Sequence, residues 1–356
     1  MAEHSPLLEV RDLSKRFAVT RGLRRKVSRV VQAVDRVSFE LQRGETLSLV
    51  GESGSGKTTT GRCIVRATEP SSGTVLYRSG DGEVDLTAVD RTALRQVRQE
   101  IRMVFQDPHS SLNPRMTLLQ LVGEPLLIHR RVAGRAELRE RVADLLQLVQ
   151  LDPTLMDRHP HAFSGGQRQR IAIARALALD PKIVIADEPV SALDVSVQAQ
   201  ILNLMKDLQA GRDLTYLFIA HDLAVVRYQS DRIAVMYLGR IVEVSTRDEV
   251  FANPLHPYTE LLLASSPVPD PRVRRRRTHL KGEVPDPGHR PTGCGFHPRC
   301  PYAQDLCRTE VPELLAATSD GVVHSVACHF SVELSLAGLG HPHSDTHETE
   351  RGRERQ

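Results

Sequence analysis

The pattern of apolar and polar positions predicts strands at the start of the chain and a helical region after them. From Leu7 to Val50, short apolar runs alternate with polar residues and are broken by polar turns, which predicts several strands. From Leu118 to Val149, apolar residues recur at helical spacing with charges between them. This pattern predicts a helical region inserted between strand-rich parts, and Asp152-Pro153 ends it.

Beyond this region, helical and strand-like segments alternate. The pattern predicts helices over Gln167–Leu179 and Val197–Leu208, and buried strands over Ile183–Ala186 and Leu214–Ala220. Alternation of this kind is typical of a parallel sheet flanked by helices. We therefore predict an α/β fold.

The character of the chain changes after about Phe251. Prolines become frequent between residues 254 and 291, and Arg274–Arg277 is a run of four arginines. We expect a separate C-terminal module over residues 251–332, in which the arginine run forms a solvated or interface surface. Residues 333–356 are polar and lack core-forming residues, so we expect a disordered tail.

Composition narrows the classes of function. The chain has 356 residues and 40% hydrophobic content, enough for more than one domain. The net charge of +3, the 4% aromatic content and the absence of tryptophan argue against a nucleic-acid partner. No long apolar run or secretory signal is present, which predicts a cytosolic, non-spanning chain. The basic segment Thr20–Arg29 is read as a solvated loop, or as a contact for lipid headgroups or an acidic partner.

A phosphate-binding loop follows the apolar run Thr46–Val50 and precedes a helix-compatible stretch. Its glycines free backbone N–H groups for phosphates, its lysine can reach the β and γ phosphates, and its threonine can bind Mg²⁺. The sequence therefore predicts a site for a nucleotide with Mg²⁺. The residues that match GxxxxGK[ST] are Gly51, Glu52, Ser53, Gly54, Ser55, Gly56, Lys57 and Thr58.

Two carboxylates and a histidine lie at the ends of predicted strands. Asp187 follows Ile183–Ala186, where a carboxylate can lie beside Thr58 and hold Mg²⁺. Adjacent Glu188 is the candidate base that orients or deprotonates the attacking water. A solvated acidic turn is the alternative for this pair. His221 closes the strand Leu214–Ala220 and is a candidate contact for the γ-phosphate, or else a structural histidine.

The segment Phe163–Arg170, FSGGQRQR, predicts a second phosphate-binding surface. Two glycines behind Ser164 leave backbone N–H groups unobstructed, and a helix that starts here directs partial positive charge at an anion.

Six motifs in order resemble those of the ATP-binding subunit of an ABC transporter. The resemblance covers about residues 7–332, and it implies a P-loop NTPase (RecA-like) ABC ATPase core over 1–106 and 171–250, with an α-helical subdomain over 107–170. Its visible departure is Phe163, where leucine is commoner. The motifs are Gly51–Thr58 (Walker A), Gln106 (Q-loop), Phe163–Gln167 (signature), Ile183–Glu188 (Walker B and base), Ser191–Asp194 (D-loop) and His221 (switch histidine).

Three further segments resemble the oligopeptide and dipeptide importer branch, which includes nickel importers. They are QDPHSSLNPRMT at 106–117, NPLHPYTELLL at 253–263 and GCGFHPRCPYAQDLC at 293–307. The start of the phosphate loop and its lead-in look more like the F-type than the D-type subunit. The resemblance implies an ATPase that energises peptide import. Import of nickel or another small solute, a soluble ABC ATPase and a regulatory subunit with degenerate motifs are the alternatives.

The family resemblance also implies a site shared between two chains. In a head-to-tail dimer, ATP lies between one subunit's Walker A and the other's signature, and Phe17 stacks on adenine unless it is a buried strand aromatic. Gln106 would touch Mg²⁺ and the lytic water, so Glu188, His221 and Gln106 form the implied catalytic set. The other implied nucleotide contacts are the Walker A residues with Thr59, the signature residues Ser164, Gly165, Gly166 and Gln167, and Asp187 and Asp194.

The implied partners are a second ATPase subunit, a paralogue of the D type, and two transmembrane permease subunits. An extracytoplasmic solute-binding protein would act indirectly, and residues 107–117 would meet a permease subunit. The implied location is the cytoplasmic face of the inner membrane, as a peripheral subunit.

Four of the five cysteines crowd into the C-terminal module: Cys294, Cys300, Cys307 and Cys328. Their spacing fits no common zinc finger, and the importer branch is similar in having this set. A [4Fe–4S] cluster, a zinc ion and free thiols all stay open, and His297, His324 or His329 could replace a ligand. Cys63 is read as a core residue.

Overall fold

The computed structural model describes residues 5–21, 26–80, 82–106, 111–265, 285–286, 288–319 and 322–339. Two sheets and the helices around them make up this part of the chain. Within the described residues, no helix combines the length and the apolar character needed to cross a bilayer.

The smaller sheet is antiparallel and has the strand order β2-β1-β4-β5. Strands β1 and β2 form a long pair that brings Phe17 opposite Val31, and their connection at 22–25, within the basic segment, lies outside the described residues. Alternate residues of this sheet, such as Leu8 and Val10, are buried against the rest of the core. The strands are β1 (Leu8–Arg21), β2 (Lys26–Leu41), β4 (Ser72–Ser79) and β5 (Gly82–Asp85).

The larger sheet has the strand order β11-β12-β10-β9-β3-β8-β7-β6. Strands β6, β7, β8, β3 and β9 are parallel, whereas β10, β12 and β11 continue the sheet antiparallel. Every residue of β3, β7 and β8 is buried, which explains their nearly continuous apolar runs. The strands are β3 (Thr46–Val50), β6 (Ile101–Val104), β7 (Ile183–Asp187), β8 (Thr215–Ala220), β9 (Arg232–Tyr237), β10 (Arg240–Thr246), β11 (Leu315–Ser319) and β12 (Val322–Val326).

Helix α1 follows β3, and helix α2 follows β5. The region predicted to be helical between Leu118 and Val149 forms two helices, α3 and α4. A turn at Arg130, which has φ of 52°, separates them. Helix α5 begins at Gly165, two residues before the predicted start, because Ser164 caps it. The helices are α1 (Lys57–Ile64), α2 (Arg91–Glu100), α3 (Leu118–Ile128), α4 (Arg135–Leu148), α5 (Gly165–Leu177), α6 (Val195–Arg212), α7 (Leu223–Gln229), α8 (Arg247–Ala252), α9 (Pro257–Ser265) and α10 (Asp305–Thr309).

The described residues after 285 are joined to the larger sheet. Strand β12 pairs with β10, and buried Glu243 on β10 accepts a hydrogen bond from His324 Nε2 on β12 at 2.7 Å. Before residue 340, where the described chain ends, Ala337 N donates to Glu260 Oε1 at 2.8 Å. Most of the predicted tail and the run Arg274–Arg277 lie outside the described residues.

Candidate active site

The phosphate-binding loop connects β3 to α1 in a shape that requires glycine at two positions. Gly51 has φ of 152°, and a Cβ there would lie 2.2 Å from the Met236 carbonyl oxygen. Gly56 has φ of 104°, and a Cβ there would lie 2.3 Å from the Ala33 carbonyl oxygen. The close approach of the β9 and β2 backbones therefore leaves no room for a side chain at Gly51 or Gly56.

Lys57 lies buried at the centre of this loop. Its Nζ donates to the carbonyl oxygens of Gly51 at 2.7 Å and of Glu52 at 3.0 Å. Burial lowers the pKa of the ammonium, and the nearby carboxylates of Glu188 and Asp187 act in the opposite direction. The lysine is thus held where a phosphate cradled by the loop would meet it.

Thr58 and Asp187 form a site suited to a hard cation. Thr58 Oγ1 donates to Asp187 Oδ1 at 2.7 Å, and Asp187 is fully buried at the end of β7. Asp187 Oδ2 is buried and has no partner among the described residues. Burial raises the pKa of this carboxyl. A hydroxyl beside an unpartnered carboxylate oxygen is the donor set that Mg²⁺ prefers, so these residues fit the ion.

Glu188 points away from Asp187 because its backbone turns into the left-handed region, with φ of 47°. Its N–H donates to the Ile219 carbonyl oxygen at 2.9 Å, which keeps it at the carboxyl edge of the sheet. Gln106 Nε2 donates to Glu188 Oε2 at 2.8 Å, and His221 Nδ1 lies 3.1 Å from Glu188 Oε1. The structure therefore brings together the three residues predicted to form the catalytic set.

The two adjacent carboxylates have different surroundings and can do different work. Asp187 faces Thr58 and can hold a metal ion, whereas Glu188 is held between an amide and an imidazole and can accept a proton from water. With Lys57 in the phosphate loop, this arrangement can bind a metal-bound triphosphate and orient a water for attack.

The signature segment begins helix α5 with a reciprocal cap. Ser164 Oγ accepts from Gln167 N at 3.3 Å, and Gln167 Oε1 accepts from Ser164 N at 3.0 Å. Gly165 lies against Leu193 of the D-loop, and a Cβ on Gly166 would lie 2.3 Å from Val197 Cγ1. Ser164 itself is exposed, so the start of this helix is open to another molecule.

Two other predicted contacts have clear surroundings. Asp194 Oδ1 caps α6 by accepting from Val197 N at 3.0 Å, and this hydrogen bond lowers the pKa of the carboxyl. The Phe17 side chain is 41% exposed, with Lys15 Nζ 5.0 Å from the ring centroid, so it is not a buried strand aromatic. Its exposed ring can stack on a planar group.

The sequence reasoning missed two residues that touch the phosphate loop from the C-terminal part of the chain. Arg299 forms an ion pair with Glu52, and the Tyr258 hydroxyl accepts a hydrogen bond from Glu52 N at 2.8 Å. Neither belongs to a nucleotide motif, and both are more than two hundred positions away from Glu52 in the chain. The one signal was their place in the segments that resemble the importer branch.

The four C-terminal cysteines line one small cavity, together with His297 and His329. Burial raises the pKa of Cys300 to about 12 and that of Cys328 to about 11. Within the described ranges, no group of three or more His, Cys, Asp or Glu side chains has the arrangement of a metal site. The cavity brings together thiol and imidazole groups, which are donors that suit a soft metal, but these groups are not arranged as metal ligands. Cys63 is buried in the core, and burial raises its pKa to about 11.

Two family models match the chain. One, described as ABC transporter, matches residues 34–191, and the other, described as the C-terminal region of oligopeptide/dipeptide transporters, matches residues 242–307. Oligopeptide transport ATP-binding protein AppF of Bacillus subtilis is 50% identical over 331 residues, which are 92% of this chain and 98% of AppF. Di/tripeptide transport ATP-binding protein DppF of Pseudomonas aeruginosa is 47% identical over 91% of this chain and 97% of DppF.

Solved structures of ABC cassettes share the fold. The dimeric ATP-binding cassette MJ0796, with ADP and phosphate, has a TM-score of 0.59 and 30% identity over 67% of this chain and 98% of MJ0796. CbiO1 from Clostridium perfringens, part of the transporter complex cbiONQ, has a TM-score of 0.58 and 28% identity over 70% of this chain and 92% of its own. The predicted fold class and the family resemblance are confirmed. The chain belongs to the family of ATP-binding proteins of oligopeptide and dipeptide ABC transporters.

Proposed function

We propose that this chain is the ATP-hydrolysing subunit of an ABC importer of peptides, with Glu188 as the base. The observation that carries the proposal is the position of the Glu188 carboxylate. It is held between Gln106 and His221, one residue beyond the Asp187–Thr58 pair that fits Mg²⁺.

In this site the chain's residues divide the work of hydrolysis. Asp187 and Thr58 would hold Mg²⁺, which neutralises charge on the β and γ phosphates when bound. Lys57 and the loop N–H groups bind the phosphates. Glu188 orients a water and takes its proton, while Gln106 and His221 keep that carboxylate aimed at the water.

The signature segment acts on nucleotide bound by a second subunit. Ser164 is exposed at the start of α5, where backbone N–H groups and the helix dipole favour an anion. ATP between two subunits then holds them together, and hydrolysis releases them. The dimeric form of MJ0796 with ADP and phosphate supports this arrangement.

A cap-matched pair of variants tests the shared site in the assembled transporter. Ser164→Ala removes both a cap and a phosphate ligand, whereas Thr246→Ala removes a similar hydroxyl cap, whose Oγ1 accepts from Glu249 N at 3.4 Å. We expect Ser164→Ala to lower ATP turnover at least tenfold with unchanged ATP affinity at Lys57, and Thr246→Ala to leave turnover unchanged. Equal turnover in both variants would contradict the shared site.

Peptides are the proposed solute because the relatives AppF and DppF are named for oligopeptide and di/tripeptide transport. Nickel or another small solute is the second candidate, carried by the resemblance to a branch that includes nickel importers. In vesicles that contain the permease subunits and the binding protein, we expect peptides to stimulate ATP hydrolysis. Stimulation by Ni²⁺ and not by peptides would favour the second candidate.

The proposed partners are two permease subunits and a second ATPase, of the D type. The chain would lie peripherally on the cytoplasmic face of the inner membrane, with residues 107–117 against a permease; residues 107–110 lie outside the described residues. Co-purification of the chain with permease subunits from solubilised membranes is the expected result. Purification without any membrane partner would count against this assembly.

The four cysteines are proposed to hold a [4Fe–4S] cluster, which their convergence on one cavity supports. Zinc and free thiols are the alternatives. Iron and zinc content of anaerobically purified protein distinguishes them. We expect iron that Cys300→Ser removes and Cys63→Ala retains, since Cys63 lies in the core. Zinc in place of iron, or neither metal, would refute the cluster.

A further inference from the structure

One of the two described C-terminal residues that contact the phosphate-binding loop is a buried arginine, Arg299. We propose that Arg299 is a positioning residue for nucleotide binding, which fixes Glu52 and cancels its negative charge beside the phosphates. This inference rests on the proposed function in that ATP is the nucleotide, and it assigns a role to a residue outside all six nucleotide motifs.

The contact between Arg299 and Glu52 is a two-point ion pair. Arg299 Nη1 donates to Glu52 Oε2 at 2.7 Å, and Nη2 donates to Oε1 at 2.9 Å. The Arg299 side chain is 3% exposed and that of Glu52 is 25% exposed. Parallel hydrogen bonds between a guanidinium and a carboxylate set the direction of the carboxylate as well as its charge.

Two aromatic rings also contact the Arg299 guanidinium. Its carbon lies 5.8 Å from the centroid of Tyr237 and 6.0 Å from that of Phe296, within the range of a cation–π contact. Tyr237 and Phe296 pack edge to face, with centroids 5.2 Å apart. Arg299 therefore has little freedom to leave Glu52.

The main chain of Glu52 is held from the same part of the molecule. Its N–H donates to the Tyr258 hydroxyl at 2.8 Å, and its carbonyl oxygen accepts from Lys57 Nζ at 3.0 Å. Its carbonyl oxygen also accepts from Ser55 N at 3.2 Å. Since Glu52 contacts the phosphate-binding lysine directly, whatever holds Glu52 also sets the shape of the loop around Lys57.

The negative charge of Glu52 explains why its pairing with Arg299 matters for nucleotide binding. A carboxylate in a loop that binds a polyanion opposes binding, and the opposition is stronger in a partly buried site than in water. Arg299 neutralises Glu52 and fixes the direction of its carboxylate through two hydrogen bonds. We therefore expect loss of Arg299 to weaken ATP binding about tenfold, which is about 1.4 kcal/mol.

The test compares a single with a double variant of the full chain. We would measure the Kd of a fluorescent ATP analogue for the wild type, Arg299→Met and Arg299→Met with Glu52→Gln. The single variant should bind about tenfold more weakly, because Glu52 is left uncompensated. The double variant should recover to within about twofold of the wild type, because it removes the charge that Arg299 cancels.

A purely structural role for Arg299 would give a different pattern. Glu52→Gln would then not rescue binding, and the double variant would bind as weakly as Arg299→Met; that result, or an unchanged Kd in Arg299→Met, overturns the proposal. If Arg299→Met does not fold, Arg299→Lys keeps the charge without the two-point geometry and should weaken binding about threefold. An unchanged Kd in Arg299→Lys then overturns the proposal.

The matched control is Arg139→Met, which breaks another two-point pair, with Asp157 at 2.9 Å for both contacts, in the helical region. It should leave the Kd unchanged, and a tenfold loss there would overturn the specific role of Arg299. Failure of the proposed function is distinguishable, because the assembled transporter that contains the wild-type chain would then not hydrolyse ATP, whatever the Kd of the variants.

Discussion

Replacement of Asp187 by asparagine should make the ligand-free protein more stable and less able to bind Mg²⁺ with ATP. Asp187 is fully buried, and its Oδ2 has no partner among the described residues. An unsatisfied buried polar atom costs about 1–3 kcal/mol, and more when charged. The neutral amide of asparagine keeps the acceptor for Thr58 and removes the charge. We therefore expect the free energy of unfolding to rise by about 1–2 kcal/mol.

This gain should appear as a melting temperature about 2–4 °C higher than that of the wild type, in buffer without nucleotide or metal. The direction in which this stability gain changes with pH follows from the raised pKa of Asp187. The folded chain then holds this proton more tightly than the unfolded chain, so the ionised group destabilises the fold at neutral pH. The advantage of Asp187→Asn should therefore shrink as the pH falls through the raised pKa.

Addition of Mg²⁺ and ATP should make the wild type more stable than Asp187→Asn. A ligand present at a hundred times its Kd stabilises the wild type by about 2.7 kcal/mol, and the variant lacks the anion that holds the metal. Asp207→Asn, an exposed change on α6, is the control and should match the wild type in both buffers. A variant less stable than the wild type without ligand, or equally stabilised by Mg²⁺ and ATP, would refute the reasoning.

Three further predictions concern the predicted nucleotide contacts. Gly166→Ala places a Cβ 2.3 Å from Val197 Cγ1 and should lower the free energy of unfolding in urea by about 1–3 kcal/mol. The second substitution Val197→Ala should restore this stability, and an unchanged stability in Gly166→Ala would contradict the close packing. Phe17→Ala should raise the KM for ATP about tenfold with unchanged kcat, because stacking of an aromatic side chain on a base contributes about 1–3 kcal/mol. An unchanged KM would show that Phe17 does not contact adenine. His221→Ala should lower kcat about a hundredfold in a steady-state assay, and a rate near that of the wild type would show that Glu188 needs no imidazole.

The parts of the site that lie in short motifs could be predicted from the sequence. The loop around Lys57 follows a buried strand, and Asp187 and His221 follow two more. Because the carboxyl ends of parallel strands meet at one edge of a sheet, these residues had to converge. The fold class followed from the same alternation of strands and helices and is confirmed by the solved cassettes.

Contacts between distant segments that belong to no common motif set could not be predicted. Arg299 lies 247 positions from Glu52, and no period or spacing connects them. The attachment of β12 to β10 likewise depends on pairing across a long connection, part of which lies outside the described residues. The fit of Gly166 against Val197 depends on how α5 packs on α6, which the pattern of apolar positions does not specify.

The central claim is that Glu188 acts as the base for ATP hydrolysis, and Glu188→Gln tests it most directly. Glutamine keeps an acceptor for Gln106 but cannot take a proton from water. ATP turnover and ATP affinity would be measured on the same assembled transporter. We predict a loss of turnover of at least a hundredfold with the Kd for ATP within twofold of the wild type. Turnover close to that of the wild type would contradict the account.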